Sequence, residues 1–277
     1  MRNSPSAMIN RGLTMVVAGV VFPAVALAAF DVSVSPPRFE LGAKPGEVTR
    51  QVLSISNGSA ASVRYDIRTA DWELDAKGGV QFQEGAPGPA SCRPWVRIER
   101  HQIVVGAKDT RDYRFEVHVP PGAPSGECRF ALLISSEAMV VQPSGNNKLQ
   151  LPIQGRMGVV VYIAVGSAKP EMKLLGIETR KVNGKLIPVA TFQNSGNAHG
   201  RVSGSLEALD SGKHKLELVS DESVILPRST RTINLNPVDW SSGESKEPAY
   251  TLTLPMHIRG SLQYLGGGSI KVDQVLR

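Results

Sequence analysis

Chemistry in this chain would have to start from its histidines, cysteines and acids, and their spacing offers little. The histidines are His101, His118, His199, His214 and His257. None stands in an H-x-x-x-H, H-E-x-x-H or His-x-His pattern, so no metal site is expected. His118 falls on the outward parity of its segment and reads as a solvated surface group. There is no G-x-S-x-G elbow, no P-loop and no G-x-G-x-x-G turn. Gly266-Gly267-Gly268 lies between strand-like segments and reads as a hairpin turn, not a phosphate cradle. The acids are scattered, with nothing to mark a glycosidase carboxylate pair. The chain is therefore read as a non-enzyme without cofactor. What remains is binding through backbone and exposed apolar side chains. The candidate segment is Lys148 to Arg156, where Leu149, Leu151 and Ile153 alternate with polar residues. Its bland alternative is an ordinary core strand. Pro152 argues for an edge, because proline has no N–H to donate to a ladder and is confined to edges or bulges. An edge strand with alternating apolar side chains is the apparatus of β-augmentation.

The N-terminus supplies the compartment. Arg2 and Arg11 precede an apolar run from Leu13 to Leu27, and Ala26-Leu27-Ala28 is a small-x-small cleavage pattern. Residues 1–28 read as a cleaved secretory signal peptide, the run being short for a bilayer crossing and broken by Pro23. No membrane insertion is expected after its removal. In an oxidising compartment the two cysteines, Cys92 and Cys128, most simply pair. That bond would close a loop of about three dozen residues, worth roughly 3–4 kcal/mol. A reactive thiol pair is the alternative, although such pairs usually stand as C-x-x-C. The formal charge of +6 includes Arg2 and Arg11, so the exported chain is only mildly basic. With aromatics at 5% and not interleaved with the cations, nucleic acid is not an expected partner.

The elements that would position these residues are strands. Arg114 to Val119 alternates polar and apolar residues strictly, and Lys148 to Ile153 alternates again. Turn clusters such as Asn57-Gly58-Ser59, Pro120-Pro121-Gly122 and Asn194-Ser195-Gly196-Asn197 separate such segments. A weak internal repeat runs strand, Asn/Gly/Ser turn, strand, Asp-Gly hairpin. It starts at Val52 with Asp75 and Gly78-Gly79, and again at Val189 with Asp210 and Gly212. The expectation is an all-β protein of two Ig-like β-sandwich domains in tandem, at 30–165 and 170–277. The short stretch Gly166 to Pro170 joins them and implies a fixed angle between them.

Several positions resemble the periplasmic chaperones of the chaperone–usher pathway, as a divergent member. Val32-Ser33-Val34-Ser35-Pro36-Pro37-Arg38 is similar to that family's first strand. Ile55-Ser56-Asn57, Tyr65 and Asp71-Trp72 resemble its next two strands. Pro121, Gly126 and Arg129-Phe130 precede a segment, Leu149 to Tyr162, that resembles its binding strand. The similarity covers about residues 31–165. Farther on, Asn194 to His199 and Leu226-Pro227 look like Ig-type second domains of divergent relatives.

The resemblance implies a periplasmic chaperone for pilin-like subunits, handing them to an outer-membrane usher for pilus assembly. Each subunit lacks a strand, and the chaperone lends one, with Leu149, Leu151 and Ile153 filling the subunit's open core. Burial of such side chains is worth up to roughly 1.5–3 kcal/mol each. Transient self-association without a client is also expected, since an exposed apolar strand is an aggregation hazard. In the family two basic residues grip the subunit's C-terminal carboxylate. Arg38 matches the first, and its fork suits a carboxylate. The family's lysine falls at Gly158 by alignment. Arg156 has the same strand parity and is the candidate substitute, against a merely surface-exposed role. The alternative to this whole reading is an exported two-domain Ig-like structural or adhesion module binding a cell-surface component.

Overall fold

The computed structural model describes residues 31–75, 78–144, 147–182, 184–240 and 244–277, without the side chains of 137–154 and 182. The expected signal peptide, residues 1–28, lies outside the described residues. Among the described residues the regular structure is strand apart from one 3-10 turn at Arg93–Trp95.

The first set of strands runs β1 (Val32–Ser35), β2 (Arg38–Ala43), β3 (Val48–Asn57), β4 (Val63–Leu74), β5 (Val80–Gln83), β6 (Val96–Ile98), β7 (Gln102–Val105), β8 (Thr110–His118), β9 (Gly126–Ser144) and β10 (Asn147–Val165). They form two sheets. One has the order β1-β3-β8-β6, the other β2-β10-β9-β4-β5 with β7 also on β4. Period-two alternation turns one face of each sheet inward. β3 sends in Leu53 and Ile55, β8 Phe115, β9 Phe130 and Leu132, and β10 Val161 and Ile163, all buried in one core. Cys92 and Cys128 are joined, with a sequence separation of 36. The bond pins the loop after β5 to β9, beside the hydrogen bond from Cys92 N to Arg129 O at 3.2 Å.

The second set comprises β11 (Met172–Val182), β12 (Lys185–Asn194), β13 (Gly200–Ser203), β14 (Ser205–Leu209), β15 (Lys215–Ser220), β16 (Val224–Ile225), β17 (Ser229–Val238), β18 (Met256–Tyr264) and β19 (Gly268–Leu276). These strands pair only among themselves, in the order β11-β12-β17-β15-β14-β18-β13-β16 with β19 on β18. They close around a separate core that includes Phe192, Leu206, Leu218 and Ile258. The architecture is all-β, with sheets consistent with two Ig-like sandwiches in tandem.

The internal repeat has a physical counterpart. β3 ends on Asn57 and β12 on Asn194, both buried. Asn57 Nδ2 donates to Ala61 O (2.7 Å), Val105 O (3.2 Å) and Gly106 O (2.9 Å). Asn194 Nδ2 donates to Ala198 O (2.8 Å) and Ile225 O (3.1 Å). Each Oδ1 accepts the backbone N–H two residues on, from Ser59 and Gly196. A buried asparagine that satisfies both ends of its amide locks a sharp corner. The Asp hairpins match as well: Asp75 Oδ1 accepts Gly79 N at 2.8 Å, and Asp210 Oδ1 accepts His214 N at 2.9 Å.

Among the described residues no helix is long and apolar enough to cross a membrane. Nor do three or more His, Cys, Asp or Glu among them gather as metal ligands.

Candidate functional site: the open edge of β10 and the polar junction

β10 has two different neighbours. β9 pairs antiparallel along its whole length, from Asn147↔Ser144 to Val165↔Gly126, with no register shift. β2 pairs on the opposite edge, in parallel, only from Val160↔Arg38 to Val165↔Ala43. From Asn147 to Val159 that second edge therefore has no partner among the described strands. β4 in turn leaves β9 at Asp66↔Ser135. Beyond that point β9 and β10 are a two-stranded ribbon. Leu149, Leu151 and Ile153 stand in it opposite Gln142, Val140 and Ala138. Their side chains lie outside the described residues. Their parity along the unbroken register is that of Val159, Val161 and Ile163, which fill the core. Pro152 stands opposite Met139.

The even-numbered face of β10 points the other way, toward the second set of strands. Trp72, Ala131, Leu133 and Tyr162 form a small apolar cluster there with Val224. Trp72 meets Tyr162 edge-on at 5.4 Å, and its Nε1 donates to Phe130 O at 3.1 Å. Burial raises the Tyr162 hydroxyl to about 12, with Glu127 and Glu40 adding to the effect of burial while Arg201 and Arg129 oppose it.

Arg38 and Arg156 both belong to this face, Arg38 opposite Val160 and Arg156 four residues earlier on β10. That spacing is roughly 13 Å at 3.3 Å per residue. Each arginine has its own acid. Arg38 Nε donates to Glu40 Oε1 at 2.8 Å. Arg156 Nη1 lies 3.1 Å from Glu84 Oε1, while Arg68 approaches the other Glu84 oxygen at 3.8 Å. Gly158, where the family's lysine falls, is covered: a Cβ added there would run into the Phe82 ring.

Sequence reasoning missed the groups that surround Arg38. His199, which precedes β13, stacks on Tyr162 at 4.0 Å. Its Nδ1 lies 2.5 Å from Glu127 Oε2, and its backbone N–H donates to the same oxygen at 3.1 Å. His199 Nε2 faces Glu40 Oε1 at 3.8 Å, and Arg201 Nε faces that same oxygen at 3.6 Å. Burial alone would raise the Glu40 carboxyl. The Arg38 hydrogen bond and the charges of His199, Arg38 and Arg201 outweigh it and hold the carboxyl below its usual range. Two signals pointed here. Glu40 follows Arg38 at the same-face spacing of two, and His199 ends the second asparagine corner. Neither reveals that the two meet, because they come from different sheets.

Taken together, the edge offers a row of backbone groups that ends at a cation. A strand added alongside residues 147–159 would lie in line with β2 and stop at Arg38. Laid parallel to β10, it would bring its C-terminus to that guanidinium; laid antiparallel, it would bring a like-charged ammonium.

No protein-family model matches the chain, and no curated protein matches it. Solved structures do show similarity. A chain of the Salmonella enterica SafA pilin–SafB chaperone complex is 13% identical, over 91% of this chain and 99% of that one, with a TM-score of 0.45. The YadV chaperone is 12% identical, over 89% and 100%, with a TM-score of 0.44. The Pseudomonas aeruginosa CupB2 chaperone is 13% identical, over 88% and 100%, with a TM-score of 0.43.

Proposed function

We propose that this protein is a periplasmic chaperone that lends the open edge of β10 to a pilin-like subunit whose own sandwich lacks a strand. The observation that carries the reading is the edge from Asn147 to Val159, which has no partner among the described strands and is closed at one end by β2 and Arg38. An unpaired edge in water is a standing invitation to another strand. Leu149, Leu151 and Ile153 share the parity of the core and would enter the subunit's open core while the backbone ladder forms beside them. Arg38 would take the subunit's terminal carboxylate, a charge-assisted bond that sets register. Arg156 would contribute charge farther along the same face once Glu84 yields it. The complex would then be handed to an outer-membrane usher. Cys92–Cys128 suits an oxidising compartment of this kind.

The test is coexpression with the pilin-like proteins of the source organism, followed by purification from the periplasm. Leu151→Asp is expected to abolish copurification of a subunit while leaving the free energy of urea unfolding within about 0.5 kcal/mol of the parent. Unfolding of Leu151→Asp, or undiminished subunit recovery with it, would overturn the proposal.

A further inference from the structure

We infer that Glu40 is a built-in competitor for the carboxylate that Arg38 would receive, and that Arg201 offers Glu40 a second seat when that carboxylate arrives. The inference rests on the proposed function and concerns the regulation of the same site.

Three cationic or polar groups converge on one oxygen, Glu40 Oε1. Only Arg38 Nε is within hydrogen-bond reach, at 2.8 Å. Arg201 Nε at 3.6 Å and His199 Nε2 at 3.8 Å are just outside it. Both of these nitrogens are buried and have no hydrogen-bond partner among the described residues. His199 itself is only 4% exposed. Buried donors without partners are costly and rare. Arg201 Nε is such a donor, and Glu40 does not use it from its present position. Arg38, by contrast, has a side chain 49% exposed and stands where an added strand would end.

The two facts fit as an exchange. An incoming main-chain carboxylate takes the Arg38 fork, and Glu40 moves the few tenths of an ångström that separate it from a hydrogen bond to Arg201. No charge is stranded at any stage. Glu40 thus joins the first domain's guest site to the second domain's β13 end, beside the His199 contacts with Glu127 and Tyr162. Arg201 is held for this role by its Nη1, which donates to Glu222 O at 3.1 Å. Arg201 is thus a positioning residue that acts through Glu40 and does not touch the guest.

The test uses the full exported chain and a synthetic peptide of alternating valine and threonine, made with a free C-terminal carboxylate and again as the amide. Titration calorimetry should show Glu40→Gln binding the free-acid peptide about ten-fold more tightly than the parent, the scale of one charge-assisted hydrogen bond. Arg201→Gln should bind it several-fold more weakly, and that loss should vanish when Glu40→Gln is also present. The amide should be indifferent to all three. Thermal melts accompany each variant, and Glu40→Ala replaces Glu40→Gln should the latter melt early. Unchanged or weaker binding by the Glu40 variants overturns the inference, as does an Arg201→Gln loss that persists without Glu40. If instead Arg38→Ala and Leu151→Asp bind both peptides like the parent, the proposed function itself fails.

Discussion

The two halves of β10 share one unbroken register, the outer alternating polar with apolar and the inner apolar throughout, and they are in opposite situations. From Val160 to Val165 the strand is clasped by β9 and β2, and Val161, Ile163 and Val165 are buried. From Asn147 to Val159 the same strand has β9 alone among the described strands. Alternation tells which residues share a face. It does not tell whether anything covers that face or completes that edge. In this molecule the answer depends on how far a different segment, β2, extends along the strand.

The comparison can be broken most sharply from the inner half. Val161→Asp places a charge without a partner in the first core and should cost upwards of 4 kcal/mol, read as a lost or collapsed urea transition. Set beside an unperturbed Leu151→Asp, this would separate a half that holds the fold from a half held ready for a partner. Similar losses from both would erase the distinction. The boundary between the halves is expected to give an intermediate effect. Gly158→Lys drives a side chain into Phe82 and should cost about 1–3 kcal/mol, with much of it recovered by adding Phe82→Ala. Equal stability of Gly158→Lys and parent would mean that the ring is not held over the glycine. The smallest effect is invisible at neutral pH. The Tyr162 hydroxyl ionises near 12 in the folded chain, against about 10 when unfolded. Its raised value contributes stability that is complete below pH 10 and is lost as pH climbs through 12. Absorbance at 295 nm should show fewer phenolates forming near pH 10 in the parent than in the urea-unfolded chain, because burial pushes both Tyr113 and Tyr162 up to about 12, and Tyr162→Phe should remove one of the late titrations. A full set of normal titrations would place Tyr162 in water.

Much of the fold was legible because local signals agreed with one another. Asn57 and Asn194 each end a strand and lock a corner, and the sequence marks both with the same Asn/Gly/Ser turn. The cysteines could be paired by compartment and number alone. The site was legible only along single strands. Parity puts Arg38 opposite the even-numbered face of β10 and keeps Arg156 on it. It does not show that Glu40 and Glu84 already engage those arginines. Nor could any local pattern reveal Phe82 over Gly158 or His199 against Tyr162, since those contacts join segments distant in sequence and set by packing. Sequence spacing bears on whether His199 could ligate a metal; it carries no information on its packing against Glu127 and Tyr162.

The collinearity of β2 with the open edge has one more consequence. The edge runs from Asn147, where β10 begins, to the guanidinium of Arg38, about a dozen positions or roughly 40 Å. If it receives a guest as proposed, such a slot would work as a ruler. A guest seated from Arg38 is counted backward from its last residue, so two guests with the same apolar spacing but tails one residue different in length would present opposite faces. Discrimination among clients would then be a matter of counting, settled by where a chain stops as much as by what it contains.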